Sequence, residues 1–170
     1  MSKVYSGVDP SLTNTGVVSV YNDEVKATCF KTDKVPNDNA GETKRMCKWY
    51  ETVDQILGKN HQALCDTFWC ECDTMDGIEV PMGNHFGGAS KVDRLFGYFI
   101  GRLSTETDNY MVFTPSQIKK FFTGSGRADK ETMVWFANKV WDFPCTSHDI
   151  ADAFAIAKMT QYIDENLYEL

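Results

Sequence analysis

Three β-type segments joined by links too short for a helix open the chain, and they restrict its fold more than any other feature. Segments 3–9, 16–21 and 24–31 are rich in Val, Thr, Tyr and Phe. Between the first two lies Pro10-Ser11-Leu12-Thr13-Asn14-Thr15. Pro10 cannot donate a ladder hydrogen bond, and Asn14 with Gly16 favours a turn. Asn22-Asp23 makes the second link a tight hairpin. Strands tied this closely must pair antiparallel.

Helical and extended segments alternate after a polar loop containing Pro36 and Gly41. Met46, Trp49, Tyr50, Val53, Ile56 and Leu57 recur at helical spacing, predicting a helix over 42–58 that ends near Gly58. The aromatic run 67–72 reads as a buried strand. Residues 73–88 show no period and contain four glycines and Pro81, predicting a long loop. A helix over 90–103, a strand over 110–114 and a helix opened by Pro115 follow. Asp129 caps the next helix, which reaches about Trp141, and the last begins near Ser147. The order βββ-α-β-α-β-α-α-α predicts one α/β domain over 1–170. It is a mixed five-stranded sheet, three antiparallel strands then parallel ones, with helices on both faces. This is the element order of the RNase H-like fold.

The net charge of −7 argues at face value against a nucleic-acid partner. The acids are concentrated, however. Residues 66–79 hold Asp66, Glu71, Asp73, Asp76 and Glu79 with no Lys or Arg, and residues 141–170 hold six acids against Lys158. Those two segments carry −10, so the rest of the chain stands at +3. No apolar run approaches a membrane span and the N-terminus has no signal-peptide core, so the expected location is cytoplasmic. The six cysteines are then expected to be reduced. Cys70-x-Cys72 has the wrong spacing for a zinc knuckle, and both residues read as buried hydrophobes.

Four acids fall at places where a carboxylate is costly or exposed to a ligand. Asp9 ends the first strand and Glu71 ends the expected fourth, so parallel neighbours would bring both to one sheet edge. Asp149 and Asp152 share one face of the last helix, which continues as Ala-Phe-Ala-Ile-Ala. Asp9 before Pro10 also reads as a turn former, and Asp149 as an acid favoured by the helix dipole. Four converging carboxylates would repel one another, and divalent metal relieves that conflict. Hard oxygen ligands favour Mg²⁺ or Mn²⁺ over zinc. Two such ions could activate water and stabilise a phosphodiester's leaving oxygen.

Three stretches resemble the RuvC-type Holliday junction resolvases. Val-Asp-Pro-Ser-Leu-Thr-Asn-Thr-Gly (8–16) is similar to the family's first-strand Asp-Pro-Gly-Ser motif, with Ser11 replacing Gly. Residues 118–130 resemble its lysine–glycine–lysine stretch, and Asp-Ile-Ala-Asp-Ala-Phe-Ala-Ile-Ala (149–157) its acidic helix. The resemblance implies that Asp9, Glu71, Asp149 and Asp152 hold two metal ions. It implies stabilising charge from Lys130 near the scissile phosphate, and DNA-backbone contact from Lys119. Lys120 and Arg127 extend this cationic stretch, and Gly124-Ser125-Gly126 lets backbone approach a phosphate. A homodimer is implied, since a four-way junction needs two symmetric cuts. Bacterial members place an aromatic three residues after the glutamate to open the junction. Counted from Glu71 that position is Thr74, followed by Met75, and Met82, His85 and Phe86 are the available wedge residues. His148 stands beside Asp149 as an alternative ligand or a capping side chain.

The expected activity is therefore a metal-dependent endonuclease making paired nicks in branched DNA, and the short acidic chain suits a viral or phage member. Alternatives are a broader debranching nuclease, a junction-binding protein without catalysis, and an actin-like phosphate-binding domain. The last needs a second phosphate hairpin and a second domain, which 170 residues do not supply.

Overall fold

The computed structural model describes residues 3–11, 13–33, 39–65, 73–80 and 91–167. The opening meander forms as the sequence predicts: β1 (Lys3–Asp9), β2 (Thr15–Tyr21) and β3 (Glu24–Phe30) pair antiparallel. Then follow α1 (Asn39–Leu64), β4 (Asp73–Glu79), α2 (Lys91–Glu106), β5 (Tyr110–Phe113), α3 (Pro115–Thr123), α4 (Lys130–Lys139) and α5 (His148–Asn166). The sheet order is β3-β2-β1-β4-β5, with β4 parallel to both β1 and β5. This is the mixed five-stranded sheet expected from the element order.

Alternation along the central strand β1 divides the molecule into two packed faces. Val8 joins Trp49, Val53, Leu95 and Phe99 under α1 and α2, while Val4 packs on Leu64. On the other face Gly7 lies against α5, and the Tyr5 hydroxyl donates to Asp164 at 3.0 Å. The α5 side is built from Phe154, Ile156 and a run of alanines, closed by Ile118 and Phe122 of α3 and Met133 of α4.

Three glycines let α5 lie almost on the sheet. A methyl group at Gly16 would strike the carbonyl of Asp149, one at Gly7 that of Ala153, and one at Gly77 the hydroxyl of Thr160. These glycines sit on β2, β1 and β4, so they form a track across the sheet beneath the helix.

Two predicted elements need correction. The first is α1, which does not end near Gly58. It runs on to Leu64 because Asn60 and Leu64 continue its buried face, while Gly58 is exposed. The second is the loop predicted over 73–88, whose first residues Asp73–Glu79 form β4; the strand expected over 67–72 lies outside the described residues. Asp73-Thr-Met-Asp-Gly-Ile-Glu has the composition of a loop. Tertiary contacts compensate: Gly77 fits under α5, Ile78 enters the core, and the buried Asp76 carboxylate accepts a hydrogen bond from Ser6. Thr74 and Met75 are therefore inside the sheet, paired with Val4 and Tyr5, and are not junction-opening residues.

Candidate active site

Asp9 is the last residue of β1, on the α5 face, where it pairs with Gly16 of β2. Val8 is in register with Ile78, so the next residue of each parallel strand, Asp9 and Glu79, ends its strand at the same sheet edge. Such neighbours stand about 4.8 Å apart along the backbone. The first turn of α5 meets this edge because Gly16 admits the Asp149 carbonyl. Ser147 caps that helix by accepting from the N–H of Ile150, so the capping role considered for His148 belongs to Ser147. Asp149 benefits from the helix dipole, and Asp152 lies one turn further on the same face.

The carboxyls feel one another. Burial pushes Asp9 well above the usual carboxylate range, reinforced by Glu79, Asp152 and Asp149 and opposed by Lys130. Burial, then Asp152, raises Glu79 to about 7, with Lys119 and Lys130 opposing. Asp152 is likewise raised, chiefly by burial, against the pull of Lys130 and Lys119. None of these acids is in an ion pair among the described residues.

The two lysines are carried by well-capped helices, Lys119 midway along α3 and Lys130 at the start of α4. Lys119 is on α3, whose N-terminus carries a reciprocal capping box between Thr114 and Gln117. Lys130 opens α4 directly after its cap Asp129, whose carboxylate accepts from the N–H of Thr132 at 2.8 Å. Gly124 adopts a left-handed conformation (φ 81°) that ends α3 and turns the chain through the Ser125–Arg127 loop. None of Lys119, Lys120, Arg127 and Lys130 is held in an ion pair among the described residues. His148 Nε2 is 3.9 Å from a carboxylate oxygen of Glu131 on α4.

The structure thus brings Asp9, Asp149 and Asp152 together with Lys119 and Lys130. Glu71 lies outside the described residues. Asp73, two residues after it, pairs with Lys3 at the opposite end of β1 from Asp9. Glu79 is the residue that sequence reasoning missed as a site member. Its signal was present: like Asp9 before Pro10, Glu79 closes an extended segment just ahead of a proline, Pro81.

The donor set suits a hard divalent cation. It consists of carboxylate oxygens; Asp9, Glu79 and Asp152 are raised first by burial and then by neighbouring acids, and none of them has an ion-pair partner among the described residues. Among the described residues no three His, Cys, Asp or Glu side chains stand in a finished coordination arrangement. The acids share an edge but do not yet converge on one point.

No curated protein matches the chain. Among solved structures, Thermus thermophilus RuvC superposes with a TM-score of 0.64 at 21% identity, covering 95% of both chains. T. thermophilus RuvC in complex with a Holliday junction substrate superposes with a TM-score of 0.62 at 18% identity, covering 96% of this chain and 95% of that one. Both confirm the fold. The family model of the crossover junction endodeoxyribonuclease RuvC matches residues 5–160, a span that contains the four edge acids and both lysines. By that match the chain belongs to the RuvC family of metal-dependent crossover junction endonucleases.

Proposed function

We propose that this chain, as a single domain over 1–170, cuts four-way DNA junctions by paired hydrolytic nicks. Asp9, Glu79, Asp149 and Asp152 would hold the cations, two Mg²⁺ per site with Mn²⁺ able to substitute. The observation carrying this reading is the group of Asp9, Glu79 and Asp152 at one sheet edge, raised chiefly by burial and then by one another, with Asp149 beside them and Lys119 and Lys130 opposing the shifts. When bound, such cations supply a nucleophile from water at neutral pH and stabilise the leaving oxygen.

The chain's own residues would do the rest. Lys130, at the start of α4, offers positive charge and the free N–H groups of a helix N-terminus to a phosphate beside the acids. Lys119, Lys120 and Arg127 would carry the neighbouring backbone phosphates, which positions the duplex without reading its sequence. Two protomers related by a two-fold would place two such sites on a junction of matching symmetry. Met82, His85 and Phe86, the candidates for opening the junction, follow Glu79 in sequence and lie outside the described residues. The cytoplasm is the compartment that fits this role; no described helix is long and apolar enough to cross a membrane.

The test is incubation of a labelled immobile four-way junction and a matched duplex with and without Mg²⁺. Junction cleavage that requires Mg²⁺, and that Asp9→Asn abolishes while leaving junction binding intact, is expected. Undiminished cleavage by Asp9→Asn in Mg²⁺ would overturn the assignment.

A further inference from the structure

We propose that Trp135 is a stacking platform for a nucleobase, or the apolar face of a deoxyribose, in a junction arm leaving the active site. The inference rests on the nuclease reading above and extends its DNA surface to a residue outside the cationic loop.

Helix α4 buries Met133 and Ala137 against α5 and packs Val134 and Phe136 on the same core. Trp135 points elsewhere and is 54% exposed, whereas Trp49 is fully buried and Trp141 stacks on Phe122 with ring centroids 5.1 Å apart. Among the described residues its ring has one aromatic neighbour, Phe136, in an edge contact at 5.2 Å that leaves its indole largely uncovered. Trp135 is the bulkiest of the exposed large hydrophobic side chains among the described residues, and leaving its ring in water forgoes burial energy.

Its position gives that exposure a use. Lys130, at the start of the same helix, acts electrostatically on Asp9, Glu79 and Asp152. Glu131 lies one turn before Trp135 on the same face, and its carboxylate is 3.9 Å from His148, the neighbour of Asp149. Trp135 therefore stands about one helical turn, ~5–6 Å along the axis, outward from the rim of the acid site. Glu131 on the near side repels phosphate, and Lys139 lies one turn beyond on the far side. The electron-rich face of the indole itself does not attract a phosphate. An unpaired base, or a sugar, at the crossover is a suitable occupant, since every base has a π-face.

Binding is measured in an Asp9→Asn background, with a fluorescent four-way junction titrated at several salt concentrations. Adding Trp135→Ala is expected to weaken binding by about tenfold. Trp135→Phe should restore most of it, and the melting temperature should not move. The slope of log affinity against log salt should be unchanged, because an aromatic contact releases no counterion. Lys120→Ala should flatten that slope. Indole fluorescence quenched by junction in the parent should persist unquenched in part once Trp135 is replaced. Equal affinity of Trp135→Ala and its parent would overturn the proposal, as would a flattened salt slope. So would a shift of Trp135→Ala from dimer to monomer on sizing, which would make this face a contact between copies. A parent protein that binds no junction at all would defeat the nuclease reading itself, a different result.

Discussion

Glu71 and Glu79 pose the sharpest question at the scale of single residues. Both are acids near the fourth strand; Glu79 shares an edge with Asp9 and Asp152, while Glu71 lies outside the described residues. Glu79→Gln is expected to reduce junction cleavage by more than about 100-fold, beyond the 10- to 100-fold typical of residues that merely support a metal ligand. Glu71→Gln should cleave at close to the parental rate in the same gel assay; the opposite ranking would restore Glu71. Asp9, Asp149, Asp152, Lys119 and Lys130 were readable because each sits in a locally ordinary element, a regular strand or a capped helix. Glu79 was obscured by its surroundings. Asp73, Asp76 and Gly77 suppress the strand signal, and each is accommodated only by partners distant in sequence. Aromatic 67–72 attracted the strand assignment because local propensity favours it.

Among elements, α5 determines where the acids go, and the glycine track determines where α5 goes. Replacing Gly7 with Ala forces a methyl group into the Ala153 carbonyl, a backbone atom that cannot swing aside. Gly7→Ala should therefore lose about 1–3 kcal/mol or more in urea denaturation. Gly58→Ala is the matching control: its added methyl meets nothing and lies on an exposed helix surface, so a gain of about 0.5–1 kcal/mol is expected. The same glycine explains why α1 overruns the end expected for it. Gly usually marks a helix end, and the continued burial of Asn60 and Leu64 overrides it here. The three-strand meander and the α3–α5 helices needed no such rescue, since turn residues, caps and apolar periodicity all agree with the final packing.

Taken whole, the molecule carries acids with raised carboxyls on both faces of its sheet. Glu79 at the site and Asp76 on the α1 side each stand at about 7, both chiefly through burial. An acid raised on folding contributes its full stability below its unfolded value near 4 and loses it as pH climbs through the folded value. Metal-free protein should thus melt at lower temperature at pH 8 than at pH 5. At about 1.4 kcal/mol per pH unit, ionising Asp76 in place costs at most about 4 kcal/mol. Saturating Mg²⁺ should recover the part of the loss that comes from the edge acids, and Asp76→Asn another part, at ~2–4 °C per kcal/mol. A melting temperature flat from pH 5 to pH 8 would contradict both. Because the α5 backbone lies directly over Gly7 and Gly16, the spacing between β1 and α5 has no compressible layer in it. Tools that sit on such a rigid seam do not drift out of alignment by degrees: a warmed sample would keep its full turnover until the seam parts, and then lose turnover and shape in one step.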